Sequence, residues 1–121
     1  YWKWRMHGGA ISLAKKFNHF IQDDTIPDII LTTDMLNLPV FTAFANVKSI
    51  PIVTLFHENQ LTYPWSTHDR DKVKKRDHHY GFINYTTALK SDLIMYNSNF
   101  HKDSFINALQ IFLKQLLIKN I

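Results

Sequence analysis

Three short apolar runs, separated by segments with helical patterning, constrain the fold of this chain most strongly. The runs are "DIILTTD" (28–34), "IPIVTLF" (50–56) and "LIMYNS" (93–98). The first two are typical of strands buried on both faces of a sheet. Strands that alternate with helices form parallel sheets with right-handed crossovers. The order therefore predicts an α/β fold built on an open, doubly wound parallel sheet of the Rossmann-like type.

The first two predicted helices lie on either side of the first strand. Apolar residues between positions 4 and 21 recur near helical spacing, and the helix is expected to start near Gly9. A short helix is expected over "MLNLPVFTAF", with Asp34 as its N-cap and Pro39 interrupting it. Strand one is thereby bounded by helices on both sides.

Two further helices are predicted in the second half of the chain. "DHHYGFINYTTALKSD" (77–92) has a helical pattern with Asp77 available as a cap, and Asn97 or Ser98 is the expected cap of the last helix. The apolar positions that predict the buried face of this last helix are Phe105, Ala108, Leu109, Phe112, Leu113, Leu116 and Leu117.

Residues 57–76 are polar and read as a long functional or mobile loop. Basic side chains in this loop could bind the phosphates of a nucleic acid, which adds salt dependence rather than sequence specificity. A solvated charged loop without a partner is the alternative. The residues in question are Arg70, Lys72, Lys74, Lys75 and Arg76.

Charge and composition narrow the function classes only slightly. The chain has 14 Lys plus Arg against 10 Asp plus Glu, a formal net charge of +4, which favours a polyanionic or phosphorylated partner. It has no cysteine, which excludes disulfides, thiolate nucleophiles and Cys-ligated zinc. No apolar run is long enough to cross a bilayer, so stable membrane association is not expected.

The segment "FHENQLTYPW" (56–65) places three chemically versatile residues directly after the second strand: His57, Glu58 and Asn59. Active sites of open α/β sheets lie beyond the carboxyl ends of the strands, although a polar turn is the simpler reading. A His-Glu-x-x-His zinc site is excluded because position 61 is Leu61. His57 remains open as a general base or as a hydroxyl-binding group.

The remaining motifs give weaker evidence of function. His78 and His79 diverge by about 100° on a helix, so they suit a solvated helix start better than one metal ion. Trp4 and Arg5, with Trp2, could stack on a base or pack against a neighbouring part of the protein. Asn97 and Ser98 follow the third strand and could point into the same crevice as His57, cap a helix, or do both.

Several of these blocks together resemble one family. "IPIVTLFHENQLTYP" and "HHYGFINYTTALKSDLIMYNSNFHKDSF" resemble the amino-terminal domain of tRNA-queuosine α-mannosyltransferases, and "YWKWRMHGGAISLA" looks like the same family's Trp-x-Trp-Arg segment. "TTDMLNLPVF" falls where that family has an Asp-containing strand end. The resemblance runs from residue 1 to about residue 112.

The resemblance implies a two-domain, GT-B type retaining glycosyltransferase. Its reaction would move mannose from GDP-mannose to a cyclopentenediol hydroxyl of queuosine in a tRNA anticodon, in the cytoplasm, with no metal and no cofactor. Residues 1–121 would form an incomplete acceptor-side domain, lacking the family's first strand and its carboxyl-terminal donor-binding domain, and would be inactive alone.

The same resemblance assigns roles residue by residue. His57, Glu58 and Asn59 would be the catalytic group on the acceptor side, with His57 contacting the transferred sugar or the acceptor hydroxyl. The substrate-binding positions it implies are Trp4, Arg5, Asp34, Tyr80, Gly81, Asn84, Asn97 and Ser98. Two alternatives stay open: a GT-B enzyme with a lipid or saccharide acceptor, and a non-catalytic nucleic-acid-binding module.

Overall fold

A three-stranded parallel sheet forms the centre of the molecule. The computed structural model describes residues 2–23 and 25–119. The strands β1 (Ile30–Thr33), β2 (Ile52–Phe56) and β3 (Leu93–Tyr96) lie in the order β1-β2-β3, and both neighbouring pairs are parallel. The predicted α/β fold with a parallel sheet is therefore confirmed, with β2 in the central position.

Six α-helices within the described residues connect and flank these strands. The predicted helix start at Gly9 is confirmed, and two short helices, α1 and α4, are additional to the prediction. Helix α4 lies inside the segment that was expected to be a loop. The helices are α1 (Trp2–His7), α2 (Gly9–Phe20), α3 (Leu38–Phe44), α4 (Arg70–Val73), α5 (His78–Lys90) and α6 (Asn99–Lys119), and a 3₁₀ turn (Ile21–Asp23) follows α2.

Small residues on α2 let it pack closely against α3 and the sheet. Ala10 and Ala14 are fully buried and form one cluster with Leu38, Phe41 and Ile52. Because alanine adds no bulk beyond Cβ, the two helix backbones can approach each other over the start of β2. This cluster is the main core on that face of the sheet.

The expectation that β1 is buried on both faces was wrong. The register places Leu31 beside Val53 and Val53 beside Leu93, so these three side chains share one face. Leu31 is 69% exposed and Leu93 is 56% exposed, whereas Val53 in the central strand is buried. The cause is position: β1 and β3 each have a single neighbour among the described strands, and only β2 is flanked on both sides.

The predicted cap of α3 was also wrong. The side chain of Asn37, rather than Asp34, accepts a hydrogen bond from the N–H of Val40 at 3.4 Å. Pro39 lies in the first turn of α3, where a missing N–H breaks no helical hydrogen bond, so it starts this helix instead of interrupting it. Asp34 is thus released from capping and is available for another role.

The caps of the last two helices differ in kind. Asp77 occupies the N-cap position of α5, but its side chain makes no capping bond and instead accepts from Lys72 at 3.1 Å. Ser98 caps α6 as predicted, because its Oγ accepts from the N–H of His101 at 3.1 Å. On α6, Phe105 and Phe112 are buried, and Phe105 stacks on Phe56 at the end of β2. Leu117, predicted to be buried, is 66% exposed.

Within the described residues, none of the helices has the length and apolar character that a membrane crossing requires.

Candidate active site at the carboxyl ends of the strands

The ends of β1 and β2 bring Asp34 and His57 together. The carboxylate of Asp34 is fully buried, and its Oδ1 accepts the backbone N–H of His57 at 3.1 Å. The ring Nδ1 of His57 lies 2.6 Å from the same oxygen. Because an ionised carboxylate only accepts, Nδ1 carries a hydrogen, and in the neutral ring this leaves Nε2 with a free lone pair. Nearly half of the His57 side chain is exposed.

Burial raises the pKa of Asp34 above its ordinary value of 3.8, although the neighbouring His57 opposes this shift. The carboxylate of Glu58 raises the pKa further, because a second negative charge disfavours the first, whereas the backbone N–H of Glu58 lowers it. His57 and the backbone of Glu58 therefore stabilise the ionised form of Asp34 in the interior. The two residues depend on each other, with Asp34 fixing the ring and His57 supporting the charge.

Asp34, His57 and Glu58 are also the described residues that could hold a metal ion. Each offers a ligand atom within 4.8 Å of the other two, and the mixed oxygen and nitrogen set would suit a divalent cation. In the observed arrangement the ring atom facing the carboxylate is Nδ1, whose hydrogen is donated to Asp34. A cation would have to displace that hydrogen, so the geometry favours the Asp–His pair.

Asn59 has a structural position rather than an exposed one. It is 1% exposed, and its Oδ1 accepts from the N–H groups of Leu61 and Thr62 at 3.1 and 2.9 Å. Its Nδ2 donates to the hydroxyl of Thr62 at 2.8 Å. These bonds fold the turn that follows His57, so the geometry gives Asn59 a role in shaping the site. Glu58, which lies between His57 and Asn59 in the sequence, is half-buried.

A chain of hydrogen bonds ties this turn to the end of β3. Asn97 Nδ2 donates to the carbonyl oxygen of His57 at 3.0 Å, and Asn97 Oδ1 accepts from Nδ1 of His101 at 2.9 Å. His101 Nε2 then accepts from Nδ2 of Asn59 at 3.0 Å. Asn97 is thus brought to His57 as expected, whereas His101 was missed. Its position four residues after Asn97, at the start of a helix, was the available signal.

Residues of helix α5 position the site through hydrogen bonds and close packing. Asn84 is fully buried, its Oδ1 accepts from the N–H of Gln60 at 2.7 Å, and its Nδ2 donates to the carbonyl oxygen of Asp34 at 3.0 Å. Gly81 lies so close to Leu61 that an added Cβ would overlap the Leu61 side chain. These positions had been expected to meet substrate, but their groups are engaged inside the protein, where they position Asp34 and the turn.

Tyr80, the third of these α5 positions, is also buried. Its hydroxyl donates to Oδ2 of Asp71 at 3.0 Å. Burial and this hydrogen bond raise the pKa of Tyr80 to about 12. Asp71 also accepts from Lys3 at 2.7 Å, and the Lys3 ammonium holds the pKa of Asp71 at about 2. The three side chains join α1, α4 and α5.

A cleft of about 650 Å³ opens in front of His57. Trp4 and Arg5 of α1 line it together with Thr33 and Met35, so the structure brings the two early residues to the His57 site. Trp4 is 59% exposed. Its indole lies against Gly8, where an added Cβ would approach Nε1 to 3.2 Å. The adjacent glycines of the sequence therefore make room for this indole.

The basic segment lies apart from His57. Lys72 pairs with Asp77 at 3.1 Å and Arg76 with Asp71 at 3.4 Å, while Lys74 and Lys75 are exposed. Arg70 and Arg76 line a second cleft, which shares Trp4 with the first. Lys72 and Lys75 line a third cleft, so the structure does not gather the basic residues into one site.

A parallel α/β sheet that brings a buried aspartate and an exposed histidine together beside a cleft at its strand ends has the usual arrangement of an active site in an open α/β fold. Comparison with known proteins gives the family. Residues 1–119 match the family described as tRNA-queuosine alpha-mannosyltransferase N-terminal, and the chain belongs to this family. The predicted family is confirmed.

One curated relative is the tRNA-queuosine alpha-mannosyltransferase of Drosophila melanogaster. It is 30% identical over 113 residues, which cover 93% of this chain and 28% of the relative. The chain thus spans less than a third of the length of that protein. No solved structure matches the chain.

Proposed function

We propose that this chain forms the acceptor-side domain of an enzyme that transfers mannose to queuosine in a tRNA anticodon. Family membership and the name of the Drosophila relative support the reaction. The observation that carries the proposal is the orientation of the His57 ring. Its Nδ1 lies 2.6 Å from Oδ1 of Asp34, which leaves Nε2 free beside the cleft lined by Trp4.

In the proposed reaction, His57 acts on the acceptor. Its Nε2 accepts a hydrogen bond from the queuosine hydroxyl that becomes mannosylated, which orients that oxygen toward C1 of the sugar. The new bond forms between this oxygen and C1, and the bond from C1 to the donor phosphate breaks. The hydroxyl proton passes to Nε2 of His57, whose positive ring Asp34 then stabilises, and the oxygen adds on the face that the phosphate leaves, so the configuration is retained.

The donor in this proposal is GDP-mannose, bound by a second domain of a GT-B type enzyme that acts in the cytoplasm. The proposal assigns no metal to the Asp34–His57–Glu58 cluster, because Nδ1 of His57, which would be the ligand atom there, donates to Asp34. Trp4, exposed at the cleft wall, stacks on a base of the anticodon loop, and Arg5 beside it binds the backbone.

The test is a mannose-transfer assay on the protein at its native length, with GDP-mannose and tRNA that does or does not contain queuosine. Product on the queuosine tRNA alone is the expected result. His57→Ala should then lower turnover by about tenfold or more while tRNA binding changes little. His19→Ala, an exposed histidine on α2, is the matched control.

Transfer to a lipid or saccharide acceptor instead of tRNA would replace the proposal with the first alternative. Tight tRNA binding without transfer, unaffected by His57→Ala, would replace it with a non-catalytic nucleic-acid-binding module.

A further inference from the structure

Two histidines that lie 72 positions apart in the sequence face each other across a cleft. Nε2 of His7, the last residue of α1, lies 2.8 Å from Nε2 of His79 in the first turn of α5. The Nδ1 atoms point away, toward the carbonyl oxygens of Lys3 at 2.8 Å and Arg76 at 2.5 Å. Carbonyl oxygens only accept, so both Nδ1 atoms carry a hydrogen.

This arrangement requires a proton between the rings. Two neutral rings whose hydrogens are both on Nδ1 would present two lone pairs to each other. A separation of 2.8 Å is the length of a hydrogen bond and is short for two nitrogen ligands of one metal, which bonds each at about 2.0–2.1 Å in a tetrahedral site. A hydrogen bond between the two rings in this geometry therefore includes one added proton, which gives the pair one positive charge.

The surroundings of the pair add further positive charge. The cleft is also lined by Lys3 and Trp4 of α1, Arg70 and Asp71 of α4, Arg76, and His78 and Tyr80 of α5. Lys3 is taken up by two carboxylates, at 2.8 Å from Asp69 and 2.7 Å from Asp71. Arg76 reaches Asp71 only at 3.4 Å and half of its side chain is exposed. Three cations and the shared proton thus stand against two carboxylates.

We propose that this cleft binds a backbone phosphate of the tRNA, with the guanidinium groups of Arg70 and Arg76 as donors and the protonated His7–His79 pair as a second source of charge. The identity of the RNA rests on the proposed function. Trp4 lines both this cleft and the His57 cleft. A nucleotide stacked on Trp4 would therefore place its phosphate at the histidine pair and leave the neighbouring nucleoside facing His57.

A phosphate could also come from the nucleotide-sugar donor. An exposed indole next to basic side chains is typical of sites that bind single-stranded nucleic acid, in which bases stack on the aromatic ring and phosphates pair with cations. This pattern assigns the cleft to the RNA. The test separates the two sources by measuring RNA and GDP binding independently.

The experiment measures the affinity of the native-length protein for a labelled tRNA anticodon stem-loop without queuosine, at several salt concentrations and without donor. His79→Gln keeps a side-chain donor for His7 Nε2 but removes the charge. It should weaken binding several-fold and reduce the slope of log K against log salt by about 0.7–0.9, the value of one phosphate contact. His79→Arg should restore both, and His19→Gln on α2 should change neither.

Wild-type affinity and slope in His79→Gln would overturn the proposal. Equal losses in His79→Gln and His79→Arg would assign the pair to packing alone and also overturn it. A loss of GDP binding with unchanged RNA binding would overturn the assignment to RNA. Since no donor is present, RNA binding that depends on His79 would support the phosphate site even if the mannose-transfer assay failed.

Discussion

One carboxylate oxygen, Oδ1 of Asp34, accepts both the backbone N–H and the ring N–H of His57, at 3.1 and 2.6 Å. Through this double contact Asp34, which lies 23 positions earlier in the sequence, fixes both the orientation and the tautomer of the His57 ring. The contact also makes Asp34 a positioning residue, since Asp34 is fully buried and acts on the cleft only through His57.

Asp34→Asn tests this relationship. An amide oxygen in the place of Oδ1 can still accept both N–H groups of His57, but the amide has no negative charge to stabilise a protonated ring. Its NH2 group replaces Oδ2, which is buried without a hydrogen-bond partner, and would itself be left unpaired. Turnover in the mannose-transfer assay should fall by about tenfold or more, with tRNA affinity nearly unchanged. Asp103→Asn, an exposed aspartate on α6, is the matched control. Full turnover in Asp34→Asn would contradict the positioning role.

Gly81→Ala should disturb the site indirectly, by displacing Leu61. The added Cβ would overlap the side chain of Leu61, which must then move together with the turn that follows His57. We expect a lower kcat with a modest loss of stability, because a flexible side-chain end is displaced rather than backbone. Ala88→Ser, on the same helix, is a comparison of similar size. Equal kcat for Gly81→Ala and the wild type would show that this contact does not position the turn.

Thr87→Val should destabilise the fold. The buried hydroxyl of Thr87 donates to the carbonyl oxygen of Leu36 at 2.9 Å and accepts from the N–H of Leu38 at 3.2 Å. Valine has the same shape but leaves both backbone groups unpaired, which costs about 1–3 kcal/mol of unfolding free energy. Urea denaturation of the wild type and the variant measures this loss of unfolding free energy. Thr86→Val is the control, since its hydroxyl only bonds back to its own helix.

Acid should loosen the junction of α1, α4 and α5. The pKa of Asp71 is lowered from 3.8 to about 2, chiefly by its hydrogen bond from Lys3. A lowered pKa means that the ionised group stabilises the folded state above pH 3.8, and that this contribution is lost as the pH falls toward 2. The difference in urea midpoint between wild type and Asp71→Asn should be constant above about pH 5 and shrink below pH 4. A difference that persists at pH 2 would contradict the assignment.

Replacement of Lys72, Lys74 and Lys75 by Gln should weaken tRNA binding and flatten its salt dependence. Each lost phosphate contact should lower the salt slope by about 0.7–0.9. The matched control replaces three exposed lysines elsewhere, namely Lys15, Lys90 and Lys102. An unaltered slope in the first triple variant would place this segment away from the RNA.

The sequence was sufficient for the elements whose patterns are local. The apolar runs predicted all three strands, and the spacing predicted α2 and α5, because burial repeats along each element with its own period. The extent of burial was not predictable, since it depends on neighbours. Leu31 reads as interior in the sequence and is 69% exposed, because its strand has one described neighbour.

The site was predictable only in part for the same reason. His57 was recognised from its position after β2. The sequence pattern assigned Asp34 to a cap, because Asp before a helix usually caps it, and the family resemblance implied that Asp34 binds substrate. The pairing register, which sets Thr33 beside Leu55, is what carries Asp34 to His57. The partnership of His7 with His79 spans 72 positions and has no local signature at all.

The hydrogen bonds that run from His57 through Asn97 and His101 to Asn59 close on themselves, since Asn59 is only two residues from His57 along the chain. In this circuit hydrogen bonds link the side chains of Asn97, His101 and Asn59, and His57 takes part through its backbone carbonyl oxygen. Removing the His101 side chain leaves Asn97 and Asn59 each with one partner fewer, so the further removal of either costs less than it would alone. Free energies of single variants in this circuit will therefore not add, and a double-mutant cycle is the proper unit in which to measure it.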